Sequence, residues 1–260
     1  MAVATTEAAP MTRSSPWRAL VLLAALSMPV VAWLAQRGVF GPDNATLSAR
    51  YPTLLIAAGY AFAIWGPIFL LDLALAAWQL GRPVALDAVR RPTALAFALT
   101  STWMIVFPLQ WFGISLVVII ASLLALLVAT FRAGHPTTRG ERWLLWLPLS
   151  LQAGWVSLAA FLNLAQVIVA YRLASTTAML GWSSVLFAGC ALLVLGTNAR
   201  LRGNVPYAAA AVWGLVGVYV AQSSSSLQGA SIAAWIAVGL AVAVFAETAW
   251  LRLAMRARPR

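Results

Sequence analysis

The chain has 260 residues, of which 63% are hydrophobic and only 9% are charged, and its mean hydropathy is +0.89. A soluble domain of this length needs a largely polar outer surface, which this composition cannot supply, so a lipid bilayer is the solvent that fits. The net charge of +11 would suit a nucleic-acid-binding protein, but the 17 arginines are divided among short loops between apolar segments, and no nucleic-acid partner is expected.

Residues 1–16 are mostly small and polar, and we expect a disordered cytoplasmic N-terminus there. Eight apolar segments follow, each near the roughly 20 residues that a spanning helix needs. Barrel strands would alternate apolar and polar residues, whereas these segments are continuous, so the sequence predicts an all-α integral membrane protein with about eight transmembrane helices. The 92–132 region can also be interpreted as one helix broken at Pro108. The segments cover about residues 17–36, 57–80, 92–109, 112–132, 144–170, 179–197, 206–222 and 229–251.

The arginines indicate the orientation of these segments. With the N-terminus placed inside, 14 of the 17 arginines lie in inner loops or tails, and only Arg37, Arg50 and Arg172 lie outside. This positive-inside bias predicts a multi-pass protein of the cell inner (plasma) membrane with both termini cytoplasmic. The first segment is longer than a signal-peptide core and is interpreted as an uncleaved anchor.

Several membrane chemistries are excluded by missing residues. The chain has no lysine for a Schiff base, and its single histidine, His135, lies in a loop where it cannot ligate a buried haem or metal. Its one cysteine, Cys190, lies within the sixth segment, and no nucleotide-binding motif occurs. We therefore expect no catalytic residues, no metal site and no cofactor, and no conventional enzyme.

Polar and aromatic residues at helical spacing mark three of the segments. Residues three, four and seven apart share one face of a helix, and polar groups at membrane depth usually face the bundle interior. Three such stripes predict a common cavity that suits a flat hydrophobic ligand. The stripes are Trp65, Phe69, Asp72, Ala76 and Gln79 in the second segment; Thr100, Trp103, Phe107 and Gln110 in the third; and Gln152, Trp155, Ala159, Asn163 and Gln166 in the fifth.

A purely structural interpretation of these stripes stays open. Amides and hydroxyls within spans often serve only as interhelical hydrogen bonds. Asp72 can be protonated or paired inside the bundle, with the aromatic ring of Trp65 on one side and the amide of Gln79 on the other, instead of handling a ligand or a proton. The small residues of the last two segments indicate close helix packing, within the chain or in a homodimer.

Three blocks on these stripes resemble the translocator protein family, the TspO or tryptophan-rich sensory proteins. "GYAFAIWGPIFLLDLALAAW" resembles the second-helix signature of that family and "WVSLAAFLN" its fifth-helix block, while "ALTSTWMIVF" resembles the third-helix block with Thr100 in place of an asparagine. The prolines expected before the second helix are reduced to Pro52, which puts the usual first loop in doubt. The resemblance covers about residues 17–171, and because three further segments follow, the chain resembles the longer bacterial eight-helix branch.

The resemblance implies a four-part organisation and a binding pocket. The parts are the N-terminus 1–16, a five-helix core 17–171, three further helices 172–252 and a basic cytoplasmic tail 253–260. Family members bind porphyrins and sterols as sensors, and some promote light-dependent porphyrin breakdown. The predicted ligand-binding residues are Trp65, Phe69, Asp72, Thr100, Trp103, Phe107, Gln152, Trp155, Ala159 and Asn163.

Four functions compete on these residues. The preferred one is a sensory receptor that binds a porphyrin-like tetrapyrrole within the membrane. The alternative is a secondary transporter of a small amphipathic solute with Asp72 as proton carrier, although the two halves show no repeat. A porphyrin-degrading enzyme would need Trp65 or Trp155 as a redox-active side chain. A structural protein that binds a partner would suit the last three segments, which carry none of the three stripes. Membrane lipid is expected as a partner in every case.

Overall fold

The computed structural model describes residues 15–256, apart from the side chains of residues 44 and 45. Within that range the regular structure is entirely helical. The predicted disordered N-terminus lies outside the described residues up to residue 14, as does the predicted basic tail from residue 257. The helices are α1 (Pro16–Gln36), α2 (Asn44–Arg50), α3 (Trp65–Trp78), α4 (Asp87–Val106), α5 (Phe112–Ala133), α6 (Arg139–Glu141), α7 (Leu147–Ala170), α8 (Met179–Arg200), α9 (Val205–Ser223) and α10 (Ala230–Arg256).

The long helices correspond to the eight apolar segments of the sequence. Short turns extend two of them, since a 3₁₀ turn at Gly59–Ile64 leads into α3 and a π turn at Arg142–Trp146 leads into α7. Seven helices in the described range are long and apolar enough to cross a membrane. The eighth, α4, is less apolar because Asp87, Arg90 and Arg91 lie in its first turns, and it packs along α1 and α5. The prediction of an all-α, multi-span membrane protein is confirmed.

The helices begin and end at residues that favour a cap or a turn. Ser15 caps α1 by accepting a bond from the Trp17 backbone N–H at 3.3 Å, and Asn204 does the same for α9. Between α4 and α5 the helix ends at Val106 and the chain turns, because Pro108 lacks the N–H that would continue it. The 92–132 region is therefore two helices joined by a tight turn, in which Gln110 has a φ of 61°.

Helix α7 lies at the centre of the bundle. In the span Arg139–Ala170, 72% of the most apolar stretch is buried, against 22% in α1 at the periphery. It packs against α5 and α3 on one side and against α9 and α8 on the other. At Gly154 the backbone of α7 approaches the Tyr207 carbonyl of α9 so closely that no side chain fits between them.

Helix α9 holds the segment that leads into α3. The N–H of Ala58 donates to the Gly217 carbonyl of α9 at 2.9 Å. Trp213 Nε1 donates to the Ala61 carbonyl at 2.9 Å, and a Gln222 amide donates to the backbone of Thr53 at 3.0 Å. Residues 52–64 are thereby fixed between the two halves of the chain.

A buried arginine ties α3 to α4 at one end of the bundle. Arg90 is only 2% exposed; its Nε donates to Gln79 Oε1 at 2.6 Å and its Nη1 to Asp87 Oδ1 at 2.8 Å. Asp87 also accepts from Ser15 Oγ at 2.6 Å, and Arg18 donates to the backbone carbonyl of residue 82 at 2.6 Å. The starts of α1 and α4 and the end of α3 therefore meet at the same end, as their alternating directions require.

Candidate functional site

All ten predicted ligand-binding residues are buried in the interior of the bundle. The most exposed of them, Trp65, keeps 9% of its surface, while Asp72, Gln152 and Trp155 keep none. They come from α3, α4 and α7, the three helices on which the stripes were predicted.

The aromatic members form one continuous cluster. Trp65 stacks on Phe69 with ring centroids 5.4 Å apart, and Trp103 stacks on Phe107 at 5.1 Å. Trp65 lies 6.5 Å from Trp103 and presents its ring edge-on to Trp155 at 6.2 Å. These separations are typical of favourable aromatic pairs, so the three helices meet through their indole and phenyl rings.

Three predicted polar residues are engaged in interhelical hydrogen bonds. Gln152 Nε2 of α7 donates to Thr100 Oγ1 of α4 at 3.4 Å. Asn163 Oδ1 accepts from Trp103 Nε1 at 2.9 Å and from Ser115 Oγ at 3.2 Å. Thr100 Oγ1 pairs with Ser122 Oγ at 3.0 Å. The two serines belong to α5, which sequence reasoning left out of the site. Their spacing of seven residues in an otherwise apolar segment was the signal that could have identified them.

A cavity near these residues lies between α1, α3 and α4. Its volume is about 380 Å³, and of the ten predicted residues only Trp65, Phe69 and Trp103 line it. Much of its remaining wall comes from α1, which carries no polar stripe and was therefore missed. The other lining residues are Pro29, Ala32, Trp33, Ala35, Gln36, Asp43, Phe62, Ala63, Gly66, Met104 and Pro108.

A second space lies where the stripes of α4 and α7 meet, and it is nearly closed. It holds only about 20 Å³ and is lined among others by Phe107, Trp155, Ala159 and Asn163. Phe62 and Trp103 line both spaces, so these two rings form the partition between them. The predicted pocket is thus divided into an open part beside α1 and a filled part beside α7.

Several buried polar atoms in this region lack a hydrogen-bond partner among the described residues. They include both donors and acceptors: Trp65 Nε1, Trp155 Nε1, Gln152 Oε1 and both carboxyl oxygens of Asp72. Leaving such a group without a partner costs about 1–3 kcal/mol of stability. Each of these atoms therefore either lowers the stability of the fold or bonds to a ligand, a proton or water.

Asp72 is placed differently from the sequence interpretation. Gln79 was expected to offer its amide to the carboxyl, but that amide donates to the Arg18 and Ala76 carbonyls and accepts from Arg90. Asp72 lines neither of the two spaces. The NH2 group of Gln79 is used by two backbone carbonyls and its oxygen by Arg90, so this amide makes no hydrogen bond to the Asp72 carboxyl.

A metal site is not formed by the part of the chain that the structure describes. Between residues 15 and 256 no group of three histidine, cysteine, aspartate or glutamate side chains could hold an ion. Cys190 is buried and free.

Comparison with known proteins identifies the family. A family model described as TSPO-like protein matches residues 18–250. No curated protein and no solved structure matches the chain significantly. The match extends past the blocks quoted above and includes α8, α9 and α10, so the last three helices belong to the family pattern as well. The chain, a multi-pass helical membrane protein with aromatic stripes on α3, α4 and α7, is therefore a member of the TSPO-like protein family.

Proposed function

We propose that the protein is a membrane receptor that binds a flat hydrophobic ligand, such as a porphyrin or a related tetrapyrrole, in the cavity between α1, α3 and α4. The proposal rests on one observation: a cavity of suitable size has a wall that contains several aromatic rings. The volume of about 380 Å³ falls in the usual range for small-molecule sites, about 300–1,000 Å³. Indole rings from three separate segments, Trp33, Trp65 and Trp103, line it.

Trp65 has a particular role in this proposal. Its ring contributes a flat apolar surface for offset stacking on a macrocycle. Its Nε1 is buried without a partner among the described residues, and a turn of the ring toward the cavity would bring this donor to an acceptor atom on the ligand. A ligand larger than the cavity would displace Phe62 or Trp103, the partition, and would then reach the side chain of Trp155, which lines the second space.

A sensory role is supported by the position of α1. This helix forms one wall of the cavity yet is the least buried of the candidate spans, so a change in its packing reaches the surface of the bundle directly. The arginine distribution supports placement in the plasma membrane with both termini in the cytoplasm.

Titration with protoporphyrin IX in the dark tests the proposal. Tryptophan fluorescence of the detergent-solubilised full chain is followed for wild type, Trp65→Phe and Trp235→Phe. Trp235 is a matched control because it lies on α10, is 67% exposed and lines neither space. We expect saturable quenching, with an apparent Kd raised about three- to tenfold by Trp65→Phe through loss of one hydrogen bond and ring area. Linear quenching that is equal in all three proteins would show partition into micelles and refute the proposal.

A second candidate function, a proton-coupled transporter, is favoured by Asp72 alone. Its carboxyl is fully buried at membrane depth and both oxygens lack partners among the described residues. Ionisable residues in such positions commonly belong to proton relays. Proteoliposomes carrying an internal pH dye test this candidate: solute-dependent proton flux that is lost in Asp72→Asn would support it, and the absence of flux in wild type would reject it.

A further inference from the structure

A large groove runs along the outside of the bundle between α1 and α4, away from the cavity. Its volume is about 730 Å³. Its body is apolar and open to the lipid, since Leu20, Leu23 and Leu95 are 44%, 63% and 55% exposed. Ser27 lies at its far end, but its hydroxyl is already bonded to the Ala24 carbonyl and to Ser101 Oγ, both at 2.8 Å. The groove itself therefore offers apolar contact.

Two guanidinium groups line the groove near the membrane end. The side chain of Arg91 lies over the Trp17 ring at 5.5 Å, and Arg132 of α5 donates to the Ala88 carbonyl at 3.0 Å. That bond uses one of the five donors that a guanidinium carries. The nearby carboxylate, Asp87, is committed to Arg90 and Ser15 and does not line the groove. The rim therefore carries two positive charges with no acidic side chain among the lining residues.

The length of the groove fits one leaflet of a bilayer. Along α1 it extends from Trp17 to Ser27, which at about 1.5 Å per residue is about 15 Å. The hydrocarbon core of a bilayer is about 30 Å thick, so this is about half of it. A tryptophan and two arginines at the start of the groove are the residues expected at the level of lipid headgroups.

We infer that this groove is a binding site for an anionic phospholipid, with an acyl chain between α1 and α4 and the phosphate on Arg91 and Arg132. Basic pockets between spans on the inner side of a membrane recognise anionic headgroups. A zwitterionic lipid would fill the same groove, but its positive headgroup would face the two arginines that line the rim. The charge of the rim therefore selects for phosphatidylglycerol or a similar net-negative lipid. The inference does not depend on what the cavity binds.

Native mass spectrometry of the detergent-solubilised full chain tests the inference. Dioleoylphosphatidylglycerol and dioleoylphosphatidylcholine are titrated separately, and the fraction of protein carrying one lipid gives an apparent Kd. The test variant is Arg91→Gln with Arg132→Gln. The matched control, Arg139→Gln with Arg142→Gln, removes the same charge from exposed arginines that do not line the groove.

We expect wild type and the control to bind phosphatidylglycerol more tightly than phosphatidylcholine. Each arginine near an anionic headgroup contributes about fivefold, so the test variant should lose about 25-fold in affinity for phosphatidylglycerol. Leu23→Trp, which fills the exposed groove and keeps both charges, should weaken the binding of both lipids. Equal affinity for both lipids in wild type, an equal loss in the control, or a lipid-free dimer that covers the groove would each overturn the inference.

Discussion

Replacing Asp72 by leucine is expected to stabilise the protein. The side chain is 0% exposed, and neither carboxyl oxygen has a hydrogen-bond partner among the described residues. Leucine has the same branching and the same number of side-chain heavy atoms, so the shape of the site is kept. Ile68 and Leu75, one turn away on either side, are also buried, and an apolar side chain suits this surrounding.

The magnitude follows from the unsatisfied group. Removing a buried polar group without a partner recovers about 1–3 kcal/mol. For a chain of this size a change of 1 kcal/mol shifts the melting temperature by about 2–4 °C, so Asp72→Leu should raise it by roughly 2–12 °C. Asp72→Asn is the matched control, because an amide in the same place needs partners as well and should gain little. Thermal unfolding in one detergent, followed by near-ultraviolet circular dichroism, measures all three proteins.

A lower melting temperature for Asp72→Leu would refute this reasoning. It would mean that the carboxyl makes a bond worth more than its burial, through water, a proton partner or a ligand. If Asp72→Leu is stabilised and also loses solute-dependent proton flux, the carboxyl is kept for function at the expense of stability. If Asp72→Leu is stabilised and solute-dependent proton flux is unchanged, the transporter candidate has no support.

Three further substitutions, with Gly196→Ala as a control, test the packing, the cavity and the buried arginine. Gly154→Ala should lower stability by about 1–3 kcal/mol, because the added carbon would collide with the backbone of α9, whereas Gly196→Ala, which meets no atom within 4 Å, should melt like wild type. Gly66→Leu should weaken protoporphyrin binding by occupying cavity space without loss of melting temperature, since an added carbon there has no neighbour within 4 Å; unchanged affinity would place the ligand elsewhere. Arg90→Met should cost about 3–5 kcal/mol in denaturant unfolding because it removes the cation beside Asp87 and leaves the buried Gln79 Oε1 without its donor, and a loss below about 1 kcal/mol would show that water replaces these bonds.

The helices were predictable because a bilayer leaves few alternatives. Lipid offers no hydrogen bonds to the backbone, so an apolar run of sufficient length has to be a helix. The predicted segment 112–132 and the helix Phe112–Ala133 differ by one residue. The start of α4 was less predictable: it begins five residues before the segment at 92, because Asp87 and Arg90 pair within its first turn instead of remaining in a loop.

For the candidate site, the sequence predicted which residues share a helix face, but it did not predict the size of the cavity between them. Helical periodicity correctly placed Trp65, Trp103 and Trp155 together, since residues on one face of each helix meet when the helices pack. Whether facing rings enclose a space or fill it depends on the distance between the helices. The spacing of residues along one helix gives no information on that distance. The α1 wall was missed for a related reason: Trp33 and Pro29 carry no polar pattern, and only packing shows that they face the cavity.

Helix α9 holds the segment before α3 in place. Residues 52–58 have no helical hydrogen bonds of their own, yet Thr53 and Ala57 are buried. Non-helical backbone is tolerated at membrane depth only where the protein satisfies it. Gly217 and Gln222 of α9 bond to Ala58 and Thr53 of this segment, and Gly217 lets the chain approach. Because this segment leads directly into the cavity residues Phe62 and Trp65, α9 holds in place the chain that carries this part of the candidate site.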